Sequence, residues 1–105
     1  MQTEQSIKIV LRFFQAVDML KANKIIRGKQ TFTRRYNINR RNFYTCEKEP
    51  ERDIFQVAWL ENLVRDYKVS PMWLITGQGS FFELGFDAEI VKNLQKTCKD
   101  NLNKE

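Results

Sequence analysis

The stretch IRGKQTFTRRYNINRRNFYTCEKEPER, residues 26–52, predicts two short helices joined by a tight turn. The turn falls at Asn37, because asparagine tolerates the left-handed backbone conformation that a sharp reversal between helices needs. Asn39 can then cap the second helix by accepting a hydrogen bond from a free amide of its first turn. Ile38 before the cap and Phe43 at the fourth helical position form the pair of a hydrophobic staple. The start of the second helix is therefore specified locally.

The second helix presents a polar, cationic face to solvent. Phe43 and Cys46, three residues apart, face the core. The residues left on the outside are Arg41, Tyr44, Thr45 and Lys48, flanked by Arg40 and Asn42. Arginine can bond guanine with two donors, asparagine can pair with adenine, threonine offers a hydroxyl or a methyl, and lysine suits phosphate. The face therefore suits a nucleic acid, although an ordinary solvated helix surface is the other interpretation.

The positive charge of the chain is concentrated around this helix pair. Residues 21–52 contain ten Lys or Arg and three Glu, a net charge of +7, whereas the whole chain carries +5. The other residues therefore sum to −2, so the entire basic excess belongs to this segment. A concentrated basic patch is the electrostatic footprint of polyanion binding.

Residues 28–49 resemble the helix-turn-helix of the lambda-repressor-like family, the Cro and xenobiotic-response-element (XRE) group. The resemblance assigns residues 29–36 to the scaffold helix and residues 40–48 to the recognition helix, with Glu47 at the family's Glu. The later VSPMWLITGQG, residues 69–79, is similar to the closing helix and WLLTG signature of phage and mobile-element repressors of this group. Together the resemblance covers roughly residues 7–79, most of the chain, as one ordinary domain would.

The chain departs from the family pattern at three positions. Thr33 stands where the family prefers Ala, and Asn37 stands where it prefers Gly in the turn. Glu49 stands where Gly often ends the recognition helix, but Pro50 follows and pushes Glu49 out of helical geometry. The helix can therefore still end there.

The resemblance implies an all-α protein: a lambda-repressor-like domain of about five helices over residues 1–79, then a connector and a C-terminal helix over residues 80–105. It implies a cytoplasmic homodimer that binds double-stranded DNA sequence-specifically and regulates transcription, as a repressor of a phage or mobile element. The expected base contacts are Arg40, Arg41, Asn42 and Thr45. The expected phosphate contacts are Lys29, Arg34, Arg35, Tyr44 and Lys48.

Two longer helices complete the predicted core. Ser6 is a plausible cap for a helix over residues 7–23, and Asp53 resembles the cap of a helix over residues 54–67. The apolar stripe of the first comprises Val10, Phe13, Phe14, Val17 and Leu20. The stripe of the second comprises Val57, Leu60, Leu63, Val64 and Tyr67. Trp59 falls off this stripe and is expected to cover the end of the domain rather than to reach a partner chain.

Two shorter signals follow toward the C-terminus. Ser70 before Pro71 predicts a short helix that Gly77 ends. Asp87 can cap a final helix, which carries the apolar residues Ile90, Val91, Leu94, Cys98 and Leu102. This stripe can pack on its own domain or on a twin, and we favour a twin because helix-turn-helix proteins commonly read two half-sites as dimers.

Composition argues against several other classes. The chain has no histidine, hence no imidazole base, and no credible catalytic pair, so no enzyme, cofactor, metal or small-molecule substrate is predicted. The acidic cluster of residues 47–53 is interpreted as a solvated loop rather than a metal site. Cys46 and Cys98 lack metal-site spacing and are expected to be reduced thiols at packing positions in a cytosolic protein. No signal peptide or membrane span is evident.

Two other functions remain open. One is an antitoxin-like protein-interaction module whose C-terminal helix binds another protein and whose DNA contact is secondary. The other is a structured-RNA binder that uses the same basic face, although the deep, narrow major groove of RNA admits a helix poorly.

Overall fold

A computed structural model describes the backbone of residues 3–103 and the side chains of residues 3–95. In chain order, the described helices are α1 (Glu4–Ala22), α2 (Lys29–Arg35), α3 (Arg40–Lys48), α4 (Val57–Tyr67), α5 (Pro71–Thr76) and α6 (Ala88–Asn103). The described residues form no strand beyond one isolated antiparallel bridge between Val69 and Phe82. The predicted all-α class is confirmed.

Helix α1 supplies the centre of the hydrophobic core. The predicted stripe of α1 is confirmed, since Val10, Phe13, Phe14, Val17 and Leu20 are each at most 4% exposed. The ring of Phe13 lies 5.7 Å from that of Phe32 on α2 and 6.0 Å from that of Phe43 on α3, both edge to face. Such aromatic pairs add about 0.5 to 1.5 kcal/mol each beyond the area they bury. The core therefore packs both α2 and α3 against α1.

Arg12 of α1 secures the short helix α5. Its Nε donates to the carbonyl oxygen of Leu74 at 2.8 Å, and its Nη2 donates to that of Ile75 at 2.6 Å. These carbonyls lie at the end of a helix, where no backbone amide is left to bond them. At the other end, Ser70 accepts a hydrogen bond from the Trp73 amide, which confirms the predicted cap.

Two predicted helix starts are wrong. Helix α1 begins earlier, because the side chain of Thr3 accepts from the Ser6 amide at 3.1 Å, so Thr3 is the cap and Ser6 lies inside the helix. Helix α4 begins later, at Val57, and Asp53 does not cap it. The Phe55 ring packs 5.2 Å from that of Phe13, and the extended backbone before α4 lets it reach the core.

The inner face of α4 also differs from the predicted stripe. Trp59, Leu63 and Tyr67 are at most 3% exposed, whereas Val57 is 77% exposed. Residues 59, 63 and 67 recur every four positions and therefore share one face of the helix. The predicted burial of Trp59 is confirmed, but Trp59 lies on the inner face rather than off it. The predicted burial of Val57 is wrong, because Val57 lies off this face.

Helix α6 begins as predicted but turns a different face inward. Asp87 Oδ1 accepts from the Ile90 amide at 2.8 Å, which confirms the cap. Val91 is fully buried, while Ile90 and Leu94 are 42% and 40% exposed. The side chains of Cys98 and Leu102, also assigned to the apolar stripe, lie outside the described residues. None of the described helices is long and apolar enough to cross a membrane.

Candidate nucleic-acid interface

The turn between α2 and α3 forms as its sequence predicts. Asn37 has a φ of 54°, the left-handed conformation, and the Ile38 amide donates to the carbonyl of Thr33 at 2.8 Å. Asn39 Oδ1 accepts from the Asn42 amide at 3.0 Å and so caps α3. Local hydrogen bonds therefore form the turn and cap the start of α3.

The inner side of α3 is anchored in the core. Phe43 and Cys46 are fully buried, as predicted. The Phe43 ring lies 5.1 Å from that of Phe14 and 5.4 Å from that of Trp59. Burial raises the pKa of the Cys46 thiol to about 11, so this thiol is protonated at neutral pH. Apolar contacts thus hold the inner side of α3 against the core.

The outer side of α3 collects most of the predicted contact residues. Arg40, Arg41, Asn42, Tyr44 and Lys48 are exposed, and Thr45 is half-buried beside them. Among the described residues, none of the three cations on this face forms an ion pair. Arg34, near the end of α2, is likewise exposed and has no ionic partner there. These charges remain available to an external anion.

Lys29 does not lie on that exposed face. Its ammonium donates to the Glu47 carboxylate and lies 3.8 Å from Asp18, and its side chain is 23% exposed. Partial burial by itself lowers the pKa of Lys29, but the hydrogen bond and charge of Glu47, with the charge of Asp18, outweigh it and raise the pKa above 10.5. Lys29 therefore links α1, α2 and α3, and we withdraw it from the phosphate contacts.

Arg35 is also occupied within the fold. Its side chain is 15% exposed, and its Nη1 donates to the Tyr67 hydroxyl at 3.2 Å and to the side-chain oxygen of Gln95. The guanidinium lies 5.2 Å from the centre of the Tyr67 ring and 5.3 Å from that of Tyr36. Arg35 thus joins α2 to α4 and α6, which corrects its expected role at phosphate.

Other exposed cations lie before the helix pair. Lys21, Lys24 and Arg27 are exposed at the end of α1 and in the loop that leads to α2. They contributed to the basic segment identified in the sequence but were not assigned as individual contacts. The sequence feature that could have identified them is the local excess of positive charge, since no helical spacing relates them to α3.

Sequence reasoning also missed a polar cleft beside the start of α3. The cleft has a volume of about 180 Å³ and lies between the α2–α3 turn and the start of α4. Five of its lining residues carry side-chain amides, namely Asn37, Asn39, Asn42, Gln56 and Asn62. No sequence spacing relates Gln56 and Asn62 to the three asparagines, because the start of α4 meets the α2–α3 turn only in the folded chain.

Glu47 in the last turn of α3 and Glu49 just after the helix form ion pairs. Glu47 binds Lys29, and Glu49 lies 3.6 Å from Arg52. Across the part of the chain with described side chains, no three His, Cys, Asp or Glu residues come together as a metal site would require. The site is therefore a basic and amide-rich surface.

Comparison of the chain with protein-family models, with curated proteins and with solved structures gave no significant match.

Proposed function

We propose that the chain is a sequence-specific double-stranded DNA-binding protein of the lambda-repressor-like helix-turn-helix type. The observation that carries the proposal is the outer face of α3, where Arg40, Arg41 and Lys48 are exposed without ionic partners while Phe43 and Cys46 anchor the opposite face. A helix with unpaired cations on one face and buried apolar residues on the other can enter a DNA groove without breaking internal ion pairs.

In the proposed mechanism α3 enters the major groove. The groove is about 12 Å wide and admits one α-helix. Arg40, Arg41, Asn42 and Thr45 would read base edges, and Arg34, Tyr44 and Lys48 would contact phosphates. Because the base-edge residues occupy the first two turns of α3, the N-terminal half of the helix would be directed into the groove.

The biological role that we propose is transcriptional repression in a phage or mobile element. A repressor acts by occupying a site that overlaps a promoter, and this needs no residues beyond those that read DNA. The resemblance of residues 69–79 to the signature of such repressors supports this role, since the motif forms the capped helix α5.

Fluorescence anisotropy across a salt series tests the proposal. The purified chain is titrated with duplexes from its own upstream region and with scrambled duplexes of equal length and composition. We expect tight binding to one duplex that persists as salt rises, because base contacts add to the salt-dependent phosphate contacts. Equal, weak binding to all duplexes that disappears with salt would exclude sequence reading.

A homodimer is part of the proposal, because two copies would read two half-sites. Ile90 and Leu94 of α6 are 42% and 40% exposed and offer an apolar face to a second copy. Sedimentation equilibrium of the intact chain measures the association, and Leu94→Glu should shift it to monomer. A parent chain that stays monomeric at micromolar concentration would remove the dimer from the proposal.

The second candidate function is an antitoxin-like interaction module. It is favoured by exposed apolar residues on neighbouring helices, namely Leu11 of α1 and Met72 and Ile75 of α5, which are 51%, 59% and 47% exposed. Such a surface suits a protein partner better than DNA. A stoichiometric partner that copurifies and is lost in Met72→Glu would favour this function.

A further inference from the structure

The C-terminal helix α6 contacts the helix-turn-helix unit through a buried glutamine. Gln95 is 8% exposed. Its Oε1 accepts a hydrogen bond from Arg35 Nη1, and its Nε2 donates to the backbone carbonyl oxygen of Asp66 at 2.5 Å. A single side chain of α6 therefore bonds the last residue of α2 and a residue near the end of α4 at the same time.

Arg35 has few other hydrogen-bond partners. The Tyr67 hydroxyl accepts from Nη1 at 3.2 Å, while the closest Asp66 oxygen lies 3.7 Å from Nη2, beyond ordinary hydrogen-bond distance. Since the side chain of Arg35 is only 15% exposed, water does not freely replace a lost partner. Loss of Gln95 would leave a mostly buried guanidinium short of acceptors, which is a costly arrangement.

The position of Arg35 in the chain gives this contact a consequence for α3. Arg35 ends α2, and the turn at Tyr36 and Asn37 follows at once. The Tyr36 hydroxyl donates to Asp66 at 2.6 Å, so the same carboxylate also holds the first residue after α2. A change in the position of Arg35 would therefore also shift the turn from which α3 starts.

We propose that Gln95 is a positioning residue for α3. By fixing Arg35, the docked helix α6 sets the end of α2 and the turn that follows, and so holds α3 at one angle. Helix α6 is then part of the unit that presents the contact face, in addition to any role in association. Two defined hydrogen bonds specify one docking geometry, whereas apolar contact alone would allow several.

Amide hydrogen exchange tests the proposal without any DNA. Gln95→Met keeps the side-chain volume but removes both hydrogen bonds. We expect exchange of the amides of residues 36–38 to accelerate about tenfold, the effect of roughly one buried hydrogen bond to a charged group. Asn93→Ala is the matched control, because Asn93 is exposed on the same helix. In this variant, the amides of residues 36–38 should exchange at the parent rate.

Two further variants separate positioning from general destabilisation. Gln95→Glu keeps an acceptor for Arg35, so exchange at residues 36–38 should return to within about threefold of the parent rate. Arg35→Met removes the same hydrogen bond from the other side and should accelerate exchange at residues 36–38, even if Gln95→Met fails to fold. Unchanged exchange in either methionine variant, or equal acceleration in Gln95→Glu, would overturn the proposal.

The consequence for DNA rests on the proposed function and is measured separately. Gln95→Met should weaken binding to the preferred duplex about fivefold while its salt slope stays the same, because no phosphate contact is removed. If the parent chain shows no sequence preference, the proposed function fails, and the exchange rates still decide whether Gln95 positions the turn.

Discussion

Arg41 and Arg35 show how position decides what an arginine does. Both belong to the basic segment, but Arg41 is exposed on α3, whereas Arg35 is enclosed by two tyrosines and a glutamine. The pKa of Arg35 is raised, because contacts with Tyr67, Tyr36 and Asp66 outweigh the loss of solvent around it. Only the exposed arginine keeps its donors for an external ligand.

Arg41→Ala should weaken binding to the preferred duplex by about 1 to 3 kcal/mol and relax base preference at one position. The melting temperature should stay the same, since Arg41 is exposed and has no ionic partner among the described residues. Competition anisotropy with single-base variants of the duplex measures the effect. Lys8→Ala, an exposed cation outside the basic segment, is the control, and an equal loss there would contradict a base contact.

Lys48 and Lys29 should respond differently to substitution by alanine. Lys48→Ala should weaken all duplexes alike and flatten the salt slope by about one unit, because an exposed phosphate contact is lost. Lys29→Ala should leave that slope unchanged and instead lower stability by about 1 kcal/mol, since Glu47 loses its partner. Salt titrations and thermal melts of both variants decide this. A flatter slope in Lys29→Ala would restore it as a phosphate contact.

The ends of the helices are the features that single residues control most directly. Gly77 ends α5 with a φ of 78°, and an added Cβ would lie 3.3 Å from Arg12 Nη1. The left-handed conformation is costly for any residue with a Cβ. Arg12 bonds the last carbonyls of α5, so strain at Gly77 would also disturb the contact between α5 and α1.

Gly77→Ala should therefore reduce the free energy of unfolding by about 1 to 2 kcal/mol. Gly28→Ala is the matched control, because Gly28 has an extended backbone with a φ of 178° and no atom within 4 Å of an added Cβ. Urea denaturation of both variants measures the difference. Equal stability of the two would mean that the end of α5 adapts to a side chain at low cost.

At the scale of the whole molecule, Asp66 is a point where three helices meet. Its carboxylate accepts from Tyr36 of the α2–α3 turn, and its backbone carbonyl accepts from Gln95 of α6. Partial burial by itself raises the pKa of Asp66, but hydrogen bonds from Arg65 and Tyr36, with the charge of Arg35, outweigh it and lower the pKa below 3.8. Folding is thereby linked to the ionisation of this carboxylate.

Stability should fall as the pH drops below about 4. Because the pKa of Asp66 is lower in the folded chain, the unfolded chain binds the proton first, and the stabilisation present above pH 3.8 is lost toward the folded pKa. Asp66→Asn should reduce this loss of stability at acid pH (the acid limb of the stability curve). Glu61→Gln should not reduce it, because the Glu61 side chain is 67% exposed. Urea midpoints between pH 7 and pH 3 measure the effect. An unchanged acid limb in Asp66→Asn would exclude this carboxylate as its source.

Much of the fold could be predicted because its signals are local. The left-handed turn at Asn37 and the caps at Asn39, Ser70 and Asp87 each involve residues within a few positions of one another. The buried stripe of α1 follows from helical spacing alone. The predicted start of α4 is wrong, because the packing of Phe55 against the tertiary core overrides a local capping signal.

The sequence by itself determined the all-α class, the caps, the turn and the position of the basic segment, since each depends on neighbouring residues. Tertiary structure alone decided which cations remain free. Lys29 and Glu47 are 18 positions apart, and Arg35 and Gln95 are 60 positions apart. Such pairs depend on how the helices pack, and helical spacing carries no information about them. The exposed face of α3 therefore carries cations that form no ion pair with the described residues, whereas Lys29 and Arg35 are engaged within the fold.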